Sequence, residues 1–314
     1  MRAVPSYRQL HARGELAERA RAAQAQLADC AMCPRECRVN RLMAADGHCR
    51  TGRAAIVSSW HPHDGEESPL SGRRGSGTIF FASCSLGCVF CQNWSTSHLA
   101  EGVPTSDRRL GELMLELQAL GCHNINLVTP THVVPQVLGA LLHAVEHGLS
   151  IPLVYNTGGY DLPASLALLD GVVDIYMPDI KTLDVDAAAR LLLAADYPDV
   201  VRAAVREMHR QVGDLALDEE GVAVRGLLVR HLVMPDGVAT TREVMRFLAE
   251  DVSRATYVNL MDQYHPCGDA ARHPQINCLA TAREFDEALA ACRLEGITRL
   301  DGDVGARFRR LQLW

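Results

Sequence analysis

Gly77-Thr-Ile-Phe-Phe-Ala-Ser83 runs straight into Cys84-Ser-Leu-Gly-Cys88-Val-Phe-Cys91. The first stretch is short, apolar and rich in β-formers, so it predicts a strand with the cysteines in the loop at its end. Three thiols separated by three and two residues around one tight loop can hold three corners of a [4Fe–4S] cubane. A closed electron-transfer cluster takes four cysteines, and a structural zinc site takes four ligands. A local set of three therefore leaves one iron open to a ligand from solution. The plainer alternative is a zinc loop or three buried thiols, although buried cysteines rarely fall at metal spacing by chance. Phe90, just before the last cysteine, could shield such a cluster from water, and Gln92-Asn93-Trp94 supply polar groups able to donate to its sulfides.

Outward from this loop the chain alternates between short β-rich runs and longer segments of helical period. Strands are expected at Gly77–Ser83, Asn124–Thr129, Ile151–Asn156, Val172–Met177, Gly226–Val233 and Ala255–Met261. Helices are expected at Arg108–Leu120, Val133–His147, Pro163–Leu169, Val185–Leu193, Val200–Val212 and Thr241–Val252. Apolar strands separated by helices imply an α/β fold with a parallel sheet covered by helices. Six such units are too few for an eight-stranded barrel, so a partial (β/α)6, TIM-like barrel is expected, with its active site at the carboxyl ends of the strands. The chain divides into an N-terminal cysteine-rich unit (1–75), this barrel (76–265) and a tail (266–314) with one helix, Ala282–Glu295. The Gly-, Pro- and Ser-rich run from Trp60 to Gly77 reads as the linker between the first two.

Composition narrows the function classes. The chain has 314 residues, 48% of them hydrophobic, enough for one large domain with appendages. Eleven cysteines in a chain of this size argue for metal ligation in a reducing compartment rather than for disulfides. Arg8 to Leu27 carries both signs of charge and no apolar core segment, so it reads as a surface helix, neither a targeting sequence nor a membrane span. A cytoplasmic location is expected. The net charge of −7 is spread without long runs, which gives no footprint for nucleic acid and none for a membrane.

The segment Gly75-Ser-Gly-Thr-Ile-Phe-Phe-Ala-Ser-Cys84-Ser-Leu-Gly-Cys88-Val-Phe-Cys91-Gln-Asn93 resembles the signature of the radical S-adenosylmethionine (SAM) enzymes, and more narrowly the branch around the pyruvate formate-lyase activating enzymes. The resemblance implies the same partial barrel, and SAM held by residues at successive strand ends. Asn156-Thr157-Gly158-Gly159 looks like the family's ribose-contacting turn, and Asp179-Ile180-Lys181 resembles its Asp-Leu-Lys motif. Arg230 matches an arginine in a similar strand, and Tyr264-His265 matches a Tyr-His pair whose imidazole lies by the adenosine. The order of these matches along the chain follows the family's. Without the resemblance, Asp179 and Lys181 read as a surface ion pair, Arg230 as a strand arginine with a carboxylate partner, and His265 as an ordinary histidine. Where the family places a Gly-Gly-Glu-Pro-like stretch that receives the SAM amine, this chain has Thr129-Pro130-Thr131-His132. The carboxylate is missing there, so backbone carbonyls would have to receive the amine, and His132 is expected as an extra group facing the cavity. With His63-Asp-Gly-Glu66-Glu67 and Gln263-Tyr264-His265-Pro266, this variant resembles a free-standing subgroup of the activating enzymes.

Two further cysteine sets stand outside the barrel loop. Cys30, Cys33, Cys37 and Cys49 are enough for a complete site, either tetrahedral zinc or an auxiliary [4Fe–4S] cluster, with a structural role as the plainer version. His265, Cys267, His273 and Cys278 have ligand chemistry but irregular spacing interrupted by prolines, so they read as ordinary loop residues. Cys122 and Cys292 fall in helical patterns and read as small core hydrophobes. The resemblance implies an enzyme that receives an electron from flavodoxin or ferredoxin, cleaves SAM reductively and abstracts a hydrogen atom. It implies activation of a glycyl-radical enzyme first, and chemistry on a small molecule or peptide second. A non-enzymatic Fe–S or zinc scaffold is the third class.

Overall fold

A computed structural model describes residues 4–302. Its sheet has nine strands: β1 (Ala55–His63), β2 (Ser76–Phe81), β3 (Val103–Thr105), β4 (Ile125–Val128), β5 (Leu153–Thr157), β6 (Ile175–Pro178), β7 (Ala216–Leu217), β8 (Ala223–Leu232) and β9 (Tyr257–Met261). Strands β2, β4, β5, β6, β8 and β9 pair in that order, every pairing parallel, and they are the six that the alternation of the sequence predicts. Strands β1, β3 and β7 add antiparallel pairings that the sequence pattern does not reveal.

The strands are continuous apolar runs because both faces are buried. On one face Leu153, Tyr155, Tyr176 and Leu227 join a large cluster with helix residues such as Leu113, Leu138 and Val205. On the other, Val154, Ile175, Met177 and Leu228 form a smaller cluster closed by Leu70 from the β1–β2 connection. Successive residues of a strand point to opposite faces, so neither face is left polar.

The helices follow the expected positions with local changes at their ends. Asp107–Ala119, Val134–Glu146 and Tyr197–Val212 are regular. The segments expected as single helices at 185–193 and 241–252 each finish in a wider π turn, at Ala188–Leu192 and Leu248–Val252. Helix Ala282–Glu295 has the expected bounds, with a capping box between Thr281 and Glu284.

Two expectations need correction. Arg8–Leu27 is not one surface helix. Gly14, at φ 79°, breaks it into Ser6–Ala12 and Glu15–Ala25, and Tyr7, Leu10, Leu16, Ala20 and Ala23 are buried. A stripe of small and apolar residues was hidden among the charges. Trp60 to His63 is not linker but the end of β1, hydrogen-bonded to β2, because Thr78 and Ile79 offer it a paired edge. The sheet thus runs across the boundary expected at residue 75. Positions 303–314 of the expected tail lie outside the described residues.

Candidate functional site

The parallel strands all deliver their carboxyl ends to one place. After β2 the chain turns through Ser83, at φ 70°, into the cysteine loop, and after β4 it turns through Thr129, at φ 62°. Left-handed backbone at a residue with a side chain is uncommon and costs free energy, so both turns are held by their surroundings. The Thr129 N–H donates to the Asn156 carbonyl at 2.8 Å, Asp179 N–H to the Thr157 carbonyl at 2.8 Å, and Ile180 N–H to the Arg230 carbonyl at 2.9 Å. These bonds keep the strand ends level.

The cysteine loop is clamped from outside: Gly87 and Val89 donate to the carbonyls of Leu192 and Leu191, and the Val89 carbonyl accepts from Asp269. Cys88 is buried, and Cys84 and Cys91 are half-buried. The Leu86 N–H points at the Cys84 sulfur at 3.4 Å, and the Ser97 hydroxyl at the Cys91 sulfur at 3.1 Å. Burial pushes the Cys84 thiol up to about 11 and the Cys88 thiol up to about 12, and each feels its neighbouring cysteines as well. Such thiols keep their protons unless a metal takes their place, since metal binding is coupled to proton release.

Opposite Cys88 and Cys91, across a cavity of about 220 Å³, stand Asp179, Lys181 and Arg230. Asp179 accepts from Lys181 Nζ at 2.8 Å and from Arg230 Nε at 2.7 Å, and Arg230 Nη2 donates to Asn156 Oδ1 at 2.7 Å. Burial alone would push the Asp179 carboxyl up, but the two cations outweigh it and hold the carboxyl below its usual range. Burial would likewise pull Lys181 down, and Asp179 instead raises it. The three groups are therefore charged together and present a net positive edge beside the thiols. Phe90 lines the same cavity and meets Tyr264 edge to face at 6.1 Å. Asn93 also lines it.

The turn at Gly158-Gly159 is required by how closely β5 and β6 approach. Gly159 has φ 77°, and a Cβ there would come within 2.5 Å of the Asp179 carbonyl.

Other residues read from the sequence lie elsewhere. Thr131 and Thr157 are buried, their hydroxyls 3.0 Å apart, and Thr157 donates to Asp161, which also accepts from Tyr155. Both threonines are thus drawn into a buried polar network rather than into the cavity. His132 does not face the cavity. It is 1% exposed, its Nε2 donates to the Ala82 carbonyl at 3.0 Å, and its own carbonyl accepts from Arg41. The turn Thr131–Val133 points the ring beneath the end of β2. His265 is exposed at the rim, 3.4 Å from Gln92 Nε2.

Cys33 feels Cys30, Cys37 and Cys49: burial pushes its thiol up to about 12, with the other three thiols adding to the rise. His48 N–H points at the Cys37 sulfur at 3.4 Å. Cys267 and Cys278 flank Tyr264, with Cys278 exposed. Among the described residues no three His, Cys, Asp or Glu side chains converge as ligands of one metal ion do.

The sequence reading missed a second layer behind Arg230. Glu67 accepts from Asn259 Nδ2 at 2.9 Å and lies 3.9 Å from Arg230 Nε. Its signal was Asn259, a polar residue in the middle of the half-buried face of β9.

The site is a set of thiols and a charged triad at the strand ends of an α/β protein. The chain belongs to the same family as the uncharacterized protein MJ0674 of Methanocaldococcus jannaschii, to which it is 31% identical over 271 residues, covering 83% of this chain and 73% of that one. No family model matches the sequence. A radical SAM methyltransferase from Sphaerobacter thermophilus superimposes with a TM-score of 0.46 at 16% identity over 70% of this chain. The matched part spans 64% of that protein, and the likeness is too slight to argue from. No described helix is long and apolar enough to cross a membrane.

Proposed function

We propose that the protein is a radical SAM enzyme whose [4Fe–4S] cluster is held by Cys84, Cys88 and Cys91, and that its six parallel strands are the partial (β/α)6 barrel of that class. One observation carries this reading: Cys88 and Cys91, from the same loop as Cys84, share a cavity with the Asp179, Lys181 and Arg230 triad at the carboxyl ends of parallel strands. The donor set fits a cluster, being all sulfur, at least half-buried and approached by two hydrogen-bond donors. With cluster and SAM bound, the chemistry supplied is reductive cleavage to methionine and a 5′-deoxyadenosyl radical able to take a hydrogen atom.

The chain's own residues bind, orient and exclude water. Lys181 and Arg230 are placed to offset the carboxylate of SAM, with Asp179 keeping both protonated and in position. Phe90 and Tyr264 form an apolar wall against solvent. Flavodoxin or ferredoxin is the natural electron source. We read Cys30, Cys33, Cys37 and Cys49 as a zinc or auxiliary cluster site.

On the substrate, the resemblance supports activation of a glycyl-radical enzyme. A second cavity beside the first favours instead a substrate group small enough to enter it, in a small molecule or a peptide. The test is anaerobic reconstitution followed by EPR of the reduced protein. The expected result is a [4Fe–4S] signal that shifts on adding SAM and is lost in Cys84→Ala, Cys88→Ala or Cys91→Ala. A signal indifferent to SAM would overturn the reading.

A further inference from the structure

We infer that the cavity bounded by residues 63–67, the ends of β8 and β9, and Asp301 receives a cationic nitrogen of the substrate, an ammonium or guanidinium. This rests on the function proposed above and deepens it.

The cavity holds about 400 Å³, the size of a small organic group. Four carboxylates line it: Glu66, Glu67, Asp262 and Asp301. The cationic or ionisable nitrogens lining it, among the described residues, belong to Arg230 and His63. Arg230 is already engaged by Asp179 and Asn156. His63 Nδ1 lies 3.5 Å from Glu66 Oε1. Asp301 accepts from the Tyr257 hydroxyl at 2.7 Å, and the lining as a whole carries four carboxylates against these two basic side chains.

An acidic lining alone would say little. Glu67 adds an independent observation. It is 5% exposed, one of its oxygens is held by Asn259, and the other, Oε2, has no hydrogen-bond partner. A buried carboxylate oxygen without a donor is costly, and the cost is removed by whatever brings one. Burial and the neighbouring Glu66 push the Glu67 carboxyl up against the pull of Arg230, and a further cation would pull it back down.

The choice of an organic cation over a metal ion follows from the arrangement. Phe285, Leu260 and Met261 line the same space, which suits a nitrogen carried on methylene groups. The cavity shares Arg230, Met261 and Gln263 with the one facing the thiols, so a group anchored here leads toward the proposed radical.

Isothermal titration calorimetry of the reconstituted holoprotein with SAM tests this with four probes: n-pentylamine, Nα-acetyl-lysine methylamide, pentan-1-ol and Mn²⁺. At least one amine should bind, with pentan-1-ol ten-fold weaker or worse, and Glu67→Gln should weaken the amine by ten- to a hundred-fold. Glu66→Gln gives the same readout should Glu67→Gln fail to fold. Tighter binding of the free amine points to a small molecule, and of the lysine derivative to a peptide. Equal affinity for amine and alcohol, amine affinity unmoved by both substitutions, no amine binding, or displacement of the amine by Mn²⁺ would each overturn the inference. EPR of the same samples separates the two proposals. A SAM-dependent signal without amine affinity sinks the cation site alone, whereas amine affinity without that signal sinks the radical chemistry and leaves the site standing.

Discussion

Asp179 carries the electrostatics of the thiol cavity because two cations share it, Lys181 at 2.8 Å and Arg230 at 2.7 Å. Removing either cation should weaken SAM binding by the worth of a charge-assisted contact, about 1.5–3 kcal/mol, or roughly ten- to a hundred-fold in Kd. Calorimetry on Lys181→Ala and Arg230→Met, at unchanged iron content, checks this. Thr157→Val should behave in the opposite way. Its hydroxyl serves Asp161 in the interior, so stability should fall by about 1–2 kcal/mol in urea while SAM affinity holds. His265→Ala, at the exposed rim, should change SAM affinity less than either cation does. Asp184, just past the Asp179–Lys181 motif, caps the next helix with its carboxylate, accepting from Ala187 N–H at 2.6 Å. Loss of such a cap costs about 1 kcal/mol.

At the scale of elements, the close approach of the β5 and β6 ends depends on a residue without a side chain. Gly159→Ala would place a Cβ against the Asp179 carbonyl in left-handed backbone, costing more than about 1 kcal/mol and displacing the triad. Urea unfolding and SAM affinity should both suffer. By comparison Thr281→Ala, which breaks the capping box of helix Ala282–Glu295, should cost about 1 kcal/mol of stability and leave SAM affinity unchanged. Equal effects of the two substitutions on SAM binding would show that the β5 turn does not position the site.

Across the whole molecule, the N-terminal residues are tied to the rest of the fold by several side chains, among them Tyr7, whose hydroxyl donates to the Ile151 carbonyl, and Arg41. Arg41 is 1% exposed and donates to the carbonyls of Thr51 at 2.7 Å and His132 at 2.8 Å. Arg41→Ala should cost on the order of 2–4 kcal/mol and open residues 27–54 to protease. His132 and His231 are both buried, and burial pulls them down to about 3 and about 4. Each stays neutral in the folded chain but takes a proton in the unfolded chain below about 6.5. Their contribution is therefore complete above that pH and lost as pH falls toward the folded values, by up to about 1.4 kcal/mol per unit for each histidine. Asp161 and Asp174, raised by burial, act in the opposite sense at the acidic end of this window. Urea midpoints between pH 7 and 4.5 should fall with that slope, and a flat profile would show that neither ring is held neutral.

The six parallel strands, most helix positions and the cysteine loop were legible in the sequence, because each depends on local period and spacing. Unbroken apolar runs such as Leu153-Val154-Tyr155 and Ile175-Tyr176-Met177, buried alternately on opposite faces, admit little but a doubly covered sheet. What the side chains face was not legible, since it depends on strands far apart in the chain. Thr131 and Thr157 turned inward because Asp161 was there to be satisfied, and His132 because Ala82 and Arg41 claimed it. Glu67 came from a stretch read as linker to stand behind Arg230, 163 positions later, through Asn259 on the neighbouring strand. Spacing along the chain determined which ligands could meet. Only tertiary packing decided which polar groups were left to meet a ligand, because a buried polar atom takes whichever partner the fold brings within reach.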